Sequence, residues 1–378
     1  MAGAEIIIGW RSALIFAVCL PILISAIILM FRRPERRANI YLALALMASV
    51  WSMGPQIIGF ANAYSVWPGL TFFPFNSELL VPPLIYFYAR ALMMKAPLAW
   101  RKLFLIPGVL ALIYYLIAFL VLGDFQNKWD FSRTVHSPVI EPVIILATLL
   151  MAMICLSLTV SLIRRYRTFL VETESAAQDF DLIWLIWIFG LLGLAGLVWL
   201  SLGLVSLLNP DISYVAAYPF QLVVMIIFAA LGFTAISQIN KAFPKMDERE
   251  SSISQTPSEK NWVVEGETLK RAVLSNKWYL EPGLSIRDVA ARLSTNETYL
   301  SRALNHGIGK NFNRFINELR VDYAKELIRA DAGDLLNIAM DSGFNSKATF
   351  NRVFRDISGE TPSAFRKRAE RDISNSGI

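Results

Sequence analysis

Between residues 12 and 236 the chain runs through seven apolar stretches, at about 12–31, 39–60, 78–94, 103–123, 139–163, 182–208 and 214–236. A helix needs about 20 apolar residues to cross the hydrocarbon core of a bilayer. In lipid, every backbone polar group must be satisfied within the helix itself or in a closed barrel. The sequence therefore predicts an all-α fold that begins with a bundle of seven transmembrane helices. The third stretch is the shortest and contains Arg90, which makes it the weakest member of the set. Charged residues make up only 17% of the chain, against roughly 25% in an ordinary soluble domain. That deficit lies in the apolar part, because residues 241–378 have the composition of a soluble protein.

Lysine and arginine in short loops set the direction of insertion. One set of loops holds Arg32, Arg33, Arg36 and Arg37, then Lys95, Arg101 and Lys102, then Arg164, Arg165 and Arg167. The opposite set holds only Arg11, Lys128 and Arg133. The first set is expected on the cytoplasmic side, which places the N-terminus outside and, after seven spans, the C-terminus inside. The stretch from Ser12 to Phe31 is followed by arginines and lacks a small-residue cleavage site, so it is expected to stay as a span rather than leave as a signal peptide. Cys19 and Cys155 both fall inside apolar runs, where cysteine behaves as a small hydrophobe. With only two histidines as well, no metal site and no cofactor are expected.

Three regions follow: a transmembrane domain over 1–240, a flexible cytoplasmic linker over 241–260 (KAFPKMDERESSISQTPSEK), and a soluble all-α domain over 261–378. The linker is rich in serine and charge and too poor in apolar residues to fold alone. In the last region Ser285 and Asp288 form a capping-box pattern ahead of Ile286, Val289, Ala290 and Leu293, which share one helix face. After a short turn, Asn296 caps a second helix with Tyr299, Leu300, Ala303 and Leu304 inward and Thr298, Ser301, Arg302 and Asn305 outward. Two short helices joined by a tight turn, the second polar outside, make a helix-turn-helix. The pattern repeats: Asp334 caps 335–342, Gly343-Phe344-Asn345 turns the chain, and Ser346 caps 347–355. In this last helix Phe350, Val353 and Phe354 face inward and Lys347, Thr349, Arg352 and Arg355 outward. A longer helix at about 311–329 separates the two units, and Pro362 begins a last helix at its favoured first position.

Residues 269–368 resemble the DNA-binding domain of the AraC/XylS family of transcription regulators. The resemblance rests on Gly343-Phe344-x-Ser346-x-x-x-Phe350-x-Arg352-x-Phe354, on Gly359-x-Thr361-Pro362-Ser363-x-Phe365-Arg366, on Tyr299-Leu300-Ser301-Arg302 and on Arg320-Val321-x-x-Ala324. One departure is Ala303-Leu304, where the family usually has phenylalanine second. The resemblance implies two recognition helices entering adjacent major-groove segments of double-stranded DNA, about 34 Å apart. It places Arg302 and Arg352 at DNA-contacting positions, where arginine can bond guanine O6 and N7 together. Thr298, Ser301, Asn305, Lys347 and Thr349 are further candidates for base contact. Lys310, Arg355 and Lys367 are expected on phosphates, which orient a protein without specifying sequence. Arg320, in the middle of the separating helix, is expected to serve structure through an internal salt bridge. The family also implies a bacterial inner membrane, with the DNA-binding domain in the cytoplasm.

Residues 261–378 carry 18 Lys/Arg against 15 Asp/Glu, a modest footprint for non-specific DNA binding. Homodimer formation through the bundle would compensate by raising effective concentration. Enzyme activity is not expected, since no histidine or acidic cluster at motif spacing lies in the spans and His136 falls in an outer loop. Intramembrane charge defaults to a functional hypothesis, so Glu78, Arg90 and Glu141 are the candidates for sensing an unknown small-molecule or membrane signal. The plainer expectation is that Arg90 snorkels to the cytoplasm and the glutamates reach the outer interface. Prolines in six spans are expected to kink helices, glycines 190, 193, 196 and 203 to permit close helix contact, and the aromatic loop 62–76 to rest at the interface. The leading expectation is a membrane-bound sensor and transcription regulator in one chain. The alternatives are a factor released by proteolysis in the linker and a transporter with an appended regulatory domain.

Overall fold

The apolar stretches become helices, as their unbroken hydrophobicity requires of a backbone that must satisfy itself. A computed structural model describes residues 5–96, 99–208, 218–247, 261–331 and 333–376. They fall into two units: Met1–Ile163 with Leu182–Glu248, and Arg164–Asp181 with Arg249–Ile378. Among the described residues there are no strands, only two isolated bridges.

The first unit holds α1 (Trp10–Phe31), α2 (Arg36–Trp51), α3 (Gly54–Phe60), α4 (Ala63–Val66), α5 (Val81–Met93), α6 (Ile106–Val121), α7 (Phe125–Phe131), most of α8 (Glu141–Thr173), α9 (Ile183–Leu208) and α10 (Tyr218–Ser237). Six helical runs among the described residues are long and apolar enough to cross a membrane: Trp10–Phe31, Arg36–Phe60, Lys102–Val121, Phe125–Thr173, Ala177–Gly203 and Tyr218–Ser237. The third expected span is absent from this set. Its α5 has 13 residues, about 20 Å at 1.5 Å per residue, against a core of ~30 Å. Every residue of α5 except Ala91 is buried, including Pro82, Phe87 and Arg90. Arg90 does not snorkel: it is 2% exposed and donates from Nη1 to Ala96 O at 2.9 Å.

Three other details differ from expectation. The prolines at 55, 82, 83, 107 and 219 sit in first turns of α3, α5, α6 and α10, where the missing N–H has no intrahelical partner to lose; Pro21 lies well inside its helix, and Pro142 follows the helical segment before α8 without a break. Of the four glycines in α9, Gly196 is closely approached by Leu149 of α8. The expected outer loop around His136 is helical, because a π-helical segment (Ser132–Ile140) joins α7 to α8. Of the expected linker, 241–247 is described: Met246 N donates to Met93 O at 2.8 Å, Lys95 N to Met246 O at 3.0 Å, and Lys245 pairs with Glu35 at 2.6 Å. The rest, 248–260, lies outside the described residues.

The second unit holds α11 (Trp262–Ser275), α12 (Ile286–Arg292), α13 (Glu297–Arg302), α14 (Phe312–Arg329), α15 (Leu335–Asp341), α16 (Lys347–Ser358) and α17 (Pro362–Ser376). The expected caps are made. Ser285 and Asp288 close a capping box, Asn296 accepts from Tyr299 N, Asp334 from Asn337 N and Ser346 from Thr349 N; Asn311, a cap not expected, accepts from Arg314 N. Each such cap is worth about 1 kcal/mol. Two cores result. One gathers Leu269, Val273, Ile286, Val289, Leu300, Leu304, Phe312 and Ile316; the other gathers Val321, Ile328, Ile338, Phe344, Phe350, Val353, Phe354 and Phe365. Leu304, where the family usually has phenylalanine, is 1% exposed and fills its core.

Candidate nucleic-acid interface

Each helix-turn-helix is built from a capped helix, a turn and a second capped helix. In the first, α12 and α13 are also tied by Arg287 Nε donating to Glu297 Oε1 at 2.9 Å. In the second, the turn needs Gly343: its φ is +84°, and a Cβ there would stand 2.7 Å from Leu280 O. Only glycine adopts that backbone without strain and leaves that space free. The helix α14 spans both cores, and Arg320 at its middle joins them. It is 1% exposed, donates from Nε to Tyr279 O at 2.6 Å and from Nη2 to Glu281 O at 2.8 Å, and its guanidinium lies 5.6 Å from the centre of the Phe344 ring. The expected internal role holds, but through backbone carbonyls and a ring rather than a salt bridge. Burial pulls the Arg320 pKa down to about 10, so the group still carries its charge at neutral pH.

The proposed reading residues divide by environment. On the first helix-turn-helix Thr298 and Asn305 are exposed, and Ser301 and Arg302 are half-buried; Asn305 Nδ2 donates to Ser301 Oγ at 3.3 Å. Lys310 is paired with Glu318, which also accepts from Arg314 Nε at 2.6 Å. On the second unit Lys347, Arg352, Arg355 and, on α17, Lys367 are exposed. Thr349 departs from expectation, being only 9% exposed. The cause is a segment far away in sequence. Asp179 Oδ1 accepts from Thr349 Oγ1 at 3.1 Å, Asp179 Oδ2 accepts from Asn345 Nδ2 at 3.2 Å, and Gln178 Oε1 accepts from Arg352 Nη2 at 2.5 Å. The segment that does this connects α8 to α9 and belongs to the second unit.

In the first unit Glu78 and Glu141 line one cavity of about 960 Å³, together with His136, Gln56 and Gln221. Arg90, the third sensing candidate, lies elsewhere. Gln221 is 6% exposed, and among the described residues neither its Oε1 nor that of Gln56 has a hydrogen-bond partner. Phe189, Trp199, Phe220 and Phe228 supply apolar wall, and no described lining residue is lysine or arginine. His136 was missed from sequence: it is 8% exposed, with Nδ1 2.9 Å from the Tyr114 hydroxyl and its ring edge-on to Phe72 at 5.0 Å. Phe72, expected at the interface, is 8% exposed and packs on Tyr115 and Phe131. The signal for His136 was faint, since polar neighbours such as Lys128, Asp130 and Arg133 make this helical stretch look like a loop.

Comparison with known proteins agrees with the architecture of the second unit. The helix-turn-helix domain family matches residues 289–368. An uncharacterised HTH-type transcriptional regulator of Staphylococcus aureus (strain COL) is 29% identical over 83 residues, 22% of this chain and 11% of that protein. Regulatory protein PocR of Salmonella typhimurium is 29% identical over 116 residues, 29% of this chain and 38% of PocR. A solved structure from Listeria innocua, of a protein of unknown function, is similar over 27% of this chain and 93% of that one, with 30% identity and a TM-score of 0.25. This chain thus spans about a tenth of the first of these curated relatives and well under half of the second. Its C-terminal part is an AraC-type helix-turn-helix domain of the kind found in transcription regulators.

Proposed function

We propose that this chain is a membrane-bound, sequence-specific DNA-binding transcription regulator that couples a signal at its apolar unit to promoter occupancy. The observation that carries the DNA half is the pair of capped helix-turn-helix units held on one helix, α14, through Arg320. Two reading helices on one frame suit two adjacent major-groove segments, so one chain can read an asymmetric site. Six apolar helical runs support anchoring in a bilayer, which in a bacterium would be the inner membrane, with the DNA-binding domain in the cytoplasm. A seventh crossing, through α5 and the 3-10 turn ahead of it, and an outward N-terminus follow from the loop arginines and lysines.

The sensing half rests on the cavity around Glu78 and Glu141. Its lining holds two carboxylates, two amide oxygens without a partner among the described residues and no described lysine or arginine, beside an aromatic wall. That chemistry suits an amphipathic molecule with an apolar body and a donor-bearing or cationic head. To act as a signal it must bind two arrangements of the protein with different affinity.

Genome-wide DNA crosslinking of tagged full-length chain, beside an Arg302→Ala/Arg352→Ala control, tests the reading. Discrete peaks from protein that remains intact in the membrane fraction, lost in the control, are expected. Peaks arising only from a cleaved soluble fragment would replace the sensor by the released-factor alternative. A Glu141→Gln chain that is expressed normally and keeps its full regulatory response would remove the cavity from the account.

A further inference from the structure

The ten residues Glu172–Asp181 (ETESAAQDFD) contain four carboxylates and no lysine or arginine. They follow the cationic run at Arg164, Arg165 and Arg167, and they fold against the helix-turn-helix domain inside one structural unit. Their hold has two parts. The first is an anchor made by backbone: Ser175 N donates to Leu284 O at 3.1 Å, Asn313 Nδ2 donates to Glu174 O at 3.0 Å and Ser175 O at 2.8 Å, and Asn317 Nδ2 donates to Ser175 O at 3.1 Å. Ser175, Ala176 and Ala177 are buried as a result. The second is a tip made by side chains, in which Gln178 and Asp179 accept hydrogen bonds from Arg352, Thr349 and Asn345.

The tip presents to α16 what DNA would present. Two carboxylate oxygens and one amide oxygen accept from an arginine, a hydroxyl and an amide, the donor set a recognition helix offers to base edges and phosphates. A carboxylate at the N-terminal end of a 12-residue helix also meets the favourable end of its dipole. The contacts fall on the residues that a bound duplex would need. Thr349 cannot reach a base beneath Asp179, and Arg352 cannot hold Gln178 and a guanine in the same geometry.

We propose that Glu174–Asp181 is an internal competitor of DNA, an acidic strap that occupies the second recognition helix until it is displaced. The inference rests on the DNA-binding reading above. It assigns the strap a regulatory role and makes the apparent DNA affinity the intrinsic one reduced by the fraction of chains with the strap undocked.

The test uses the full-length chain in lipid nanodiscs with two readouts. One is maleimide labelling of a Thr349→Cys variant, against the low background given by the buried Cys19 and Cys155. The other is retention of a 40-base-pair random-sequence duplex pool, quantified by fluorescence. Gln178→Ala/Asp179→Ala is expected to speed labelling and to raise DNA retention, each by about 10-fold, as for a strap docked roughly nine-tenths of the time. The added retention should vanish when Arg352→Ala is combined with it. Unchanged labelling would show that the strap does not cover α16 and would overturn the proposal. Faster labelling with unchanged retention, where that retention is still lost in Arg302→Ala/Arg352→Ala, would overturn competition while leaving DNA binding intact. No retention by any variant would overturn the DNA-binding reading and this inference with it.

Discussion

The two helix-turn-helix units start from the same plan and end in different states. Both place a capped reading helix on a buried apolar core, and both hang on α14. In the first, α13 is a six-residue helix that widens into a π-helical turn (Ala303–Ile308), and Thr298 and Asn305 stand exposed. In the second, α16 runs for 12 residues and carries the acidic strap on Arg352, Thr349 and Asn345. Sequence pattern alone makes the units near equivalents. The difference shows that a reading helix is defined by what it can exchange its partners for, as well as by the residues it displays.

The largest effect that would disturb the comparison is removal of what the units share. Arg320→Ala strands the Tyr279 and Glu281 carbonyls and empties the space against Phe344. Each buried acceptor left unsatisfied costs about 1–3 kcal/mol, and the space opened against Phe344 adds to that. Chemical denaturation of the second unit should show both reading helices destabilised together. Loss confined to one unit would mean that Arg320 does not couple them. Gly343→Ala strikes chiefly the second helix-turn-helix, through a positive φ in its turn and a clash with Leu280 O, at a cost of roughly 1–3 kcal/mol. Hydrogen exchange should rise in α15 and α16 and stay unchanged in α12.

Ser285→Ala is the matching test on the first helix-turn-helix. It removes one half of a capping box and should cost about 1 kcal/mol, read as faster exchange in α12 with α16 untouched. The smallest effect concerns pH. Burial, followed by the nearby Asp288 and Glu297 and opposed by Arg287, pushes the Glu174 carboxyl up to about 7. The docked strap therefore holds a proton that the undocked strap releases, so docking is strongest at low pH and weakens as pH rises through 7. Labelling of Thr349→Cys, corrected for thiol ionisation with an exposed cysteine control, should be faster at pH 8 than at pH 6. Glu174→Gln should flatten that profile.

Much of the second unit was legible because its signals are local. Ser285, Asn296, Asp334 and Ser346 announce helix starts within three residues of the groups they cap, and Phe350, Val353 and Phe354 mark a buried face by spacing alone. Leu304 was read correctly as a core residue for the same reason. The cover over Thr349 was not legible, since its partner Asp179 lies 170 positions away and acidic loops are usually just solvated. In the first unit length misled in one place, where α5 is apolar yet too short to span by itself. Composition misled in another, where polar residues disguised the helical stretch that brings His136 to the cavity. Glu78 and Glu141 were singled out by the cost of charge among apolar residues, but that they line one cavity depends on packing that no sequence interval encodes.

The central claim is that one chain reads two adjacent DNA segments with two separate helices. Selection from a random duplex pool by full-length Gln178→Ala/Asp179→Ala protein in nanodiscs tests it most directly. The account predicts an asymmetric two-part site with its halves about one helical turn apart. Arg302→Ala should relax one half and Arg352→Ala the other, each by about 1–3 kcal/mol of discrimination at a base pair. A single enriched segment, or both substitutions relaxing the same half, would contradict it.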